Sequence, residues 1–425
     1  MFRSSLLILC VAACAAGDDD AATSDLASEI SISSFHRERV TGDVYHYELR
    51  VQIGSTPNAA LQVHRFVREL APFVPRHTAH AAMLLHGDFS TTLTNFAPAL
   101  GEPASPAPGL APYLAAHDVD VWGLDRRWTL PGPDGDISDL GTMSVSQELD
   151  DLRAALALAR GIRTADGSGS GRLALLGFSH GAELAYTYAA VEGARPAAQR
   201  HVGGLVALDF LRAYAPANDD VRQAVCALAA GEYDGFNMGV TDASNEFLID
   251  IGELAASDPD GESPIFGPPF TNRQAMLVLV GKTYKLGVPF APVYHLLAPV
   301  GGSGGPPDGL RYTTEAASNA WLAGATPHES NLEGAELDAL VCGDAPPIDA
   351  PLANIRVPLL YVGAAGGVGA LGLYTTTQVS STDVTTRVFH RVDPVDQDFG
   401  HGDLLYASDA PTTVYPTIAG WLASH

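Results

Sequence analysis

RLALLGFSHG, residues 172–181, decides how this chain folds. The apolar run RLALLGF ends in a tight turn that holds one serine, Ser179, between Gly177 and Gly181. The small-residue stretch AELAYTYAA follows at once. That succession predicts a buried strand, a sharp turn and a helix. G-x-S-x-G in this setting is a nucleophile elbow. Positions without side chains let strand and helix approach, so the serine sits in a strained backbone with its hydroxyl exposed. The bare pattern is a weak signal in a chain with 43 glycines, because a packing turn can carry it by chance. The flanking strand and helix give it weight.

A serine hydroxyl needs a base to take its proton and donors to hold the oxyanion that forms. HAAMLLHGDFSTTLTNF, residues 80–96, is an apolar strand followed by His86-Gly87 and a turn. The loop after such a strand supplies one backbone N–H, expected from Asp88 with Phe89 as second choice. The residue after the nucleophile, His180, supplies the other. Among fourteen histidines the best base is His401, in a Gly-flanked loop after an apparent strand at 384–392 and before a C-terminal amphipathic helix. His390 falls inside that strand and is set aside.

The chain resembles the alpha/beta-hydrolase superfamily and, within it, the acid (gastric-type) lipase/esterase family. LLHGDFSTTLTNF is similar to that family's oxyanion-loop segment and VDVWGLDRRW (119–128) to its strand-four signature. GFSHG is similar to its elbow, and HGDLLYASDAPTTVY to the segment opening on its catalytic histidine. The likeness runs through residues 80–190 and 355–425 and leaves the middle uncovered. It implies an α/β fold with a mostly parallel central sheet flanked by helices and an inserted cap. It also implies an acyl-serine mechanism.

The chain departs from the family at the triad acid. After VPLLYVG (357–363) it continues AAGGVGALGLYTTTQVSST, with no carboxylate before Asp383. Other superfamily members carry the acid at the end of the preceding strand, where VGGLVALDF (202–210) places Asp209. Asp209 is the favoured acid and Asp383 the alternative, with Asp393, Asp396 and Asp398 behind them. An Asp at a strand end also serves routinely as a turn or cap residue.

Composition fits this picture. A 425-residue chain, 46% hydrophobic, can bury a large sheet and an insert. The net charge of −25 reflects few cations, and Lys282 and Lys285 are the only lysines. Such a surface repels nucleic acid and anionic headgroups, so neither is an expected partner. H-E-x-x-H, paired C-x-x-C and P-loop patterns are missing, and no metal or cofactor is expected. GAAGGVGALG (363–372) reads as a strand-end loop rather than a dinucleotide site, and the acids before His401 as a solvated loop rather than a calcium cage.

The N-terminus reads as a targeting segment: Arg3, the apolar SLLILCVAA, then Cys14. V-A-A-C resembles a bacterial lipoprotein processing site, which implies lipidation at Cys14 and a membrane contact through lipid alone. The expected location is the outer membrane or cell surface as a lipoprotein, or else the periplasm or exterior. Cys226 and Cys342 then remain, either paired or as two buried thiols.

The expected organisation is a signal segment at 1–14, an acidic flexible tether at 15–40, and core at 41–210 and 352–425 around an inserted cap or lid at 211–351. DVYHYELRVQI (43–53) is the expected opening edge strand, and SVSQELDDLRAALALARGI (144–162) a helix capped by its first serine. Of the insert's aromatics, Phe236, Phe247, Phe266, Phe270, Tyr284, Phe290 and Tyr294 either hold its own core or line an acyl pocket. The expected protein is a serine hydrolase of small carboxylic esters with an apolar acyl group. Ser179, His401 and Asp209 form its triad, and the backbones of Asp88 and His180 its oxyanion hole. A peptidase on the same fold, or a non-catalytic binding protein, are the rivals.

Overall fold

A computed structural model describes residues 31–425 except 57, 103–104, 108, 302–304, 344–347 and 349. The signal segment and Cys14 lie outside the described residues. A ten-stranded sheet runs through the molecule in the order β1-β2-β3-β6-β5-β7-β8-β11-β12, with the short β4 (Val74–Pro75) on β3. The first three strands, β1 (Ser31–Thr41), β2 (Val44–Gln52) and β3 (Ala60–Ala71), pair antiparallel with one another, and β3 pairs antiparallel with β6 (Val119–Asp125). From there on every pair is parallel: β5 (His80–Leu85), β7 (Leu173–Phe178), β8 (Val202–Leu208), β11 (Leu359–Ala364) and β12 (Val384–Phe389). Buried on both faces, the central strands read as near-continuous apolar runs such as HAAMLL and VGGLVAL.

Two sequence expectations are corrected at the N-terminal edge. The tether expected through residue 40 gives way to β1, a strand along most of whose length the side chains are exposed. The segment at 43–53 is therefore the second strand and not the edge. The strand expected at 384–392 stops at Phe389, because the backbone N–H groups of Arg391 and Val392 turn to donate to Asp398.

Helices cover both faces. Short α1 (Thr92–Phe96) follows the loop after β5, and α2 (Leu110–Ala116) leads into β6. The expected long helix is α3 (Val145–Asp166). Its cap Ser144 accepts from Gln147 N, and Gly167 ends it at φ 89°. α4 (His180–Gly193) starts directly on Ser179. Between β8 and β11 lie α5 (Asp219–Asn237), α6 (Glu246–Ser257), α7 (Asn272–Gly281), the small hairpin of β9 (Pro299–Val300) with β10 (Gly309–Leu310), α8 (Glu315–Ala323) and α9 (Asn331–Leu340). α10 (Gly369–Thr376) follows β11, and α11 (Tyr415–Leu422) closes the chain. Among the described residues no helix is long and apolar enough to cross a membrane.

The registers align the strand ends. Leu85 pairs with Gly177, Phe178 with Leu208, and Leu208 with Val362. The loops after β5, β7, β8 and β11 therefore open on one edge, the carboxyl ends of a parallel sheet, where such sheets place their ligands.

Helix α9 is fastened to the core at several points. Glu333 pairs with Arg126 at 3.2 Å and accepts from Trp128 Nε1; Glu336 accepts the Val145 N–H at 2.6 Å; and Ser330 Oγ donates to Met143 O at 2.7 Å. Cys342, just past α9, forms a disulfide with Cys226 in α5, so the open question about these two cysteines is resolved as pairing. The bond closes a loop of 116 residues of sequence separation. Replacing both cysteines by alanine should lower stability by about 2–4 kcal/mol in a urea titration. An unchanged midpoint with an unchanged slope would contradict that assignment.

Candidate active site

The elbow is built from close backbone contacts. Ser179 has φ 57° and ψ −135°, a conformation that costs free energy and persists only when its surroundings enforce it. A Cβ on Gly177 would lie 2.0 Å from Gly181 O, and one on Gly181 would lie 2.4 Å from both Leu85 O and His86 O. On Gly87 it would meet Ser179 Cβ at 2.8 Å. Three side-chain-free positions thus press the ends of β5 and β7 and the start of α4 together. The Ser179 N–H is taken by Leu208 O at 3.1 Å.

Two remote segments meet beside it. His401 Nδ1 lies 2.8 Å from Asp209 Oδ2, and both side chains are buried. Asp209 sits just past β8 with φ 47°, a left-handed conformation that Asp tolerates better than most residues. Its side chain's other contacts come from the end of β11 and the loop after it: Ala364 N donates to Oδ1 at 2.7 Å and Val368 N to Oδ2 at 3.3 Å. Gly367 is required here, since a Cβ would fall 1.9 Å from Asp209 Oδ2 and 3.2 Å from His401 Cα. The stretch GAAGGVGALG therefore cradles a carboxylate.

The His401 ring stacks on Phe178, the residue before Ser179, at 4.6 Å, with Tyr294 at 5.5 Å. Its Nε2 is buried with no hydrogen-bond partner among the described residues. Three of the other acids weighed for this role stand elsewhere, and the fourth, Asp396, has a buried Oδ1 with no hydrogen-bond partner among the described residues. Asp383 is at the surface against His425, Asp398 holds His390 and three backbone N–H groups, and Asp393 is exposed near His390.

The loop after β5 is held by groups the sequence did not single out. Asn95 Oδ1 accepts the Gly87 N–H at 2.8 Å, and its amide donates to Tyr406 Oη at 3.1 Å, which donates on to Thr94 O. Phe89 N points to Glu329 Oε2 at 3.3 Å, which makes Phe89 the poorer oxyanion donor. Among the described residues no acceptor takes the N–H of Asp88 or of His180, the latter being the first residue of α4 and so without an intrahelical partner.

The side chains of these two residues are themselves paired. His180 Nδ1 is hydrogen-bonded to Asp88 at 2.7 Å, while Nε2 lies 3.3 Å from Asp338 Oδ1 in α9, an ion-pair distance without hydrogen-bond geometry. Phe210 and Phe290 meet the ring edge-on at 4.7 and 5.6 Å. Burial alone would keep His180 neutral, but the charges of Asp88 and Asp338, with the hydrogen bond to Asp88, push it well above its ordinary value. Burial also opposes ionisation of Asp88, yet His180 and Arg126 outweigh it and bring that carboxyl down to about 2. Glu183, one turn into α4, is fully buried with neither oxygen hydrogen-bonded, and burial raises it to about 8 despite His180 and Arg212. Among the described residues no cluster of His, Cys, Asp and Glu is arranged to hold a metal ion.

Of the insert's aromatics, Phe290 and Tyr294 stand against the site and pack on each other at 6.0 Å. Phe266 and Phe270 pack together in the insert, and Phe247 is exposed. Of the seven, two thus stand at the site, two pack within the insert and one is at the surface.

No protein-family model and no curated protein matches the chain. Solved structures do. A protein from Sulfolobus solfataricus named as a lipase aligns with a TM-score of 0.62 at 14% identity, covering 92% of this chain and 99% of that one. A soluble variant of monoglyceride lipase from Saccharomyces cerevisiae aligns at 0.45 and 11%, covering 93% and 96%. An alpha/beta hydrolase fold protein from Nakamurella multipartita aligns at 0.38 and 12%, covering 88% and 98%. With the strand order and the elbow, the first likeness establishes the fold: a mostly parallel central sheet flanked by helices, the alpha/beta-hydrolase fold.

Glu183 carries a pH dependence of stability. Its folded value of about 8 stands above the ordinary 4.5, so the folded state keeps a proton that the unfolded chain releases between the two. Its stabilising share is complete below the lower value and is lost as pH rises toward the upper one. Glu183→Gln should raise the thermal midpoint by several degrees near the upper value and leave it unchanged near the lower one. Parallel pH profiles for wild type and variant would refute this.

Proposed function

We propose that the protein is a serine hydrolase that cleaves carboxylic esters, of the lipase/esterase kind, through an acyl-serine intermediate. The observation that carries this reading is the buried Asp209–His401 hydrogen bond, with the far nitrogen of the imidazole unpartnered among the described residues and the ring stacked on Phe178, the neighbour in sequence of a strained Ser179.

In the proposed reaction His401 Nε2 accepts the Ser179 proton as Oγ attacks the ester carbonyl. Asp209 accepts from the Nδ1–H, fixes the tautomer and stabilises the imidazolium. The N–H groups of Asp88 and His180 hold the tetrahedral oxyanion. The imidazolium then protonates the departing alkoxide, and water enters by the same route to release the acid. Phe210, Phe290 and Tyr294 pack around the His180 and His401 rings, and these apolar surroundings support a substrate with an apolar acyl group. The finer likeness to acid lipases rests on the four motif segments alone, and the acid's place on β8 rather than after β11 sets this chain apart from that family.

Ser179→Ala should abolish both ester turnover and fluorophosphonate labelling while the thermal midpoint holds. Asp209→Asn should lower kcat by up to about 10⁴-fold if the geometry is kept. Labelling that survives in the serine variant would sink the proposal.

The proposal extends to export as a lipoprotein. The apolar segment before Cys14 and the acidic stretch after it support this, and so does the disulfide, which persists in oxidising compartments. Mass spectrometry of the native N-terminus should find a diacylglyceryl-modified Cys14. An unmodified N-terminus at another residue would refute export by this route.

A further inference from the structure

The two N–H groups assigned to the oxyanion belong to different elements, one to the loop after β5 and the other to the first residue of α4. Such donors work only when both stand about 2.7–3.1 Å from the oxyanion. Their spacing is therefore a quantity the protein must set. The side chains of the same two residues are joined at 2.7 Å, and the ring's other nitrogen is met by a carboxylate from the insert. We propose that the His180 side chain and Asp338 are positioning residues for the oxyanion hole, a chain Asp88–His180–Asp338 that ties the spacing of its two donors to the seating of α9. This rests on the ester-hydrolase reading above.

The charge state follows from the donor inventory. A neutral imidazole carries one N–H, and its other nitrogen can only accept. Here one nitrogen is hydrogen-bonded to Asp88 and the other lies 3.3 Å from a second carboxylate, Asp338, so both neighbours favour the doubly protonated ring. The groups that face it are Asp88 from the oxyanion loop, Asp338 and Glu333 from α9, Glu183 from its own helix and Glu232 from α5. Arg126 stands behind Asp88 and Arg212 beside Glu183. Phe210 and Phe290, edge-on, leave the ring no other partner to turn to.

Asp338 is also well anchored. It lies between Glu333 and Glu336, which bind the core, and Cys342, which is bonded to α5. Any shift of the insert moves Asp338 and is passed to Asp88 through one rigid ring.

The sign of the pH effect is fixed. Two carboxylates favour the imidazolium, so the intact chain keeps its charge above the ordinary histidine range. Removing one lets the ring lose its proton as pH rises through the ordinary histidine range, and the donor spacing loosens with it.

The test uses the full chain, with p-nitrophenyl butyrate as substrate, and compares wild type, Asp338→Asn and His180→Gln. For Asp338→Asn we expect kcat to fall by about 10–100-fold with KM nearly constant, as small misplacements near a reacting centre do. A new loss of kcat should appear as pH rises through about 6–8. Glutamine cannot titrate, so His180→Gln should lower kcat without that alkaline loss. In wild type, long-range nitrogen–proton spectra should show His180 as an imidazolium at about pH 8. This last measurement needs no variant to fold. If wild type turns over through Ser179 while Asp338→Asn keeps its kcat and pH profile, or His180 titrates at its ordinary value, the positioning chain is wrong and the esterase reading stands. If wild type neither hydrolyses esters nor takes a fluorophosphonate at Ser179, both fall.

Discussion

The carboxylate of Asp209 is the point at which the two parts of the core are joined. It stands at the end of β8, before the insert begins, and receives hydrogen bonds from Ala364 at the end of β11, from Val368 in the loop that follows and from His401 further on. Its own backbone N–H goes to Val362 O across the sheet at 2.8 Å. Chain that is remote in sequence is thus brought to one buried oxygen pair, and an unpartnered charge at that depth would be severely destabilising. The left-handed turn at Asp209 and the glycine at 367 are the local conditions that let the side chain reach these donors.

The insert is tied to the core through charge as well as through apolar packing. Arg126, fully buried, donates to His86 O and pairs with Glu333, while Trp128 donates to the same glutamate. Burial raises Glu333, and Arg126 and the Trp128 N–H work against it. Buried pairs of this kind add little net stability over apolar packing, yet breaking one is costly, so they serve to fix a single arrangement. Here the arrangement fixed is the placement of α9 over the loop that carries Asp88. The same device recurs away from the site, where Arg65 and Arg163 share the buried Asp120.

The parts of this site that are local in sequence were legible, and the parts assembled across the insert were not. Ser179 is announced by the apolar strand before it, the glycines beside it and the helix after it. His401 could be picked by its place after the last strand. Asp209 required an argument by strand order, since an Asp at a strand end has many ordinary uses. Asp338 gave no signal: in NLEGAELDAL the acids look like the solvated face of a helix, whereas Glu333, Glu336 and Asp338 are all buried against the core. Asn95 lay within a quoted motif but nothing marked its amide as the acceptor for Gly87. β1 was taken for tether because its side chains are mostly exposed, so no apolar face registers in SISSFHRERVT and its order comes from backbone pairing with β2. The disulfide could be posed as a possibility but not decided, because sequence spacing does not fix the approach of two Cα atoms that here lie 5.7 Å apart.

The central claim is that one oxyanion is held between the loop after β5 and the start of α4 while Ser179 carries the covalent bond. A crystal structure of the protein after reaction with an alkyl fluorophosphonate tests it most directly, because the phosphoryl oxygen stands where the oxyanion would form. The account predicts a phosphorus–Ser179 Oγ bond, with that oxygen within about 3 Å of the N–H groups of both Asp88 and His180. A phosphoryl oxygen turned away from these two groups, or an adduct on any other residue, would contradict it.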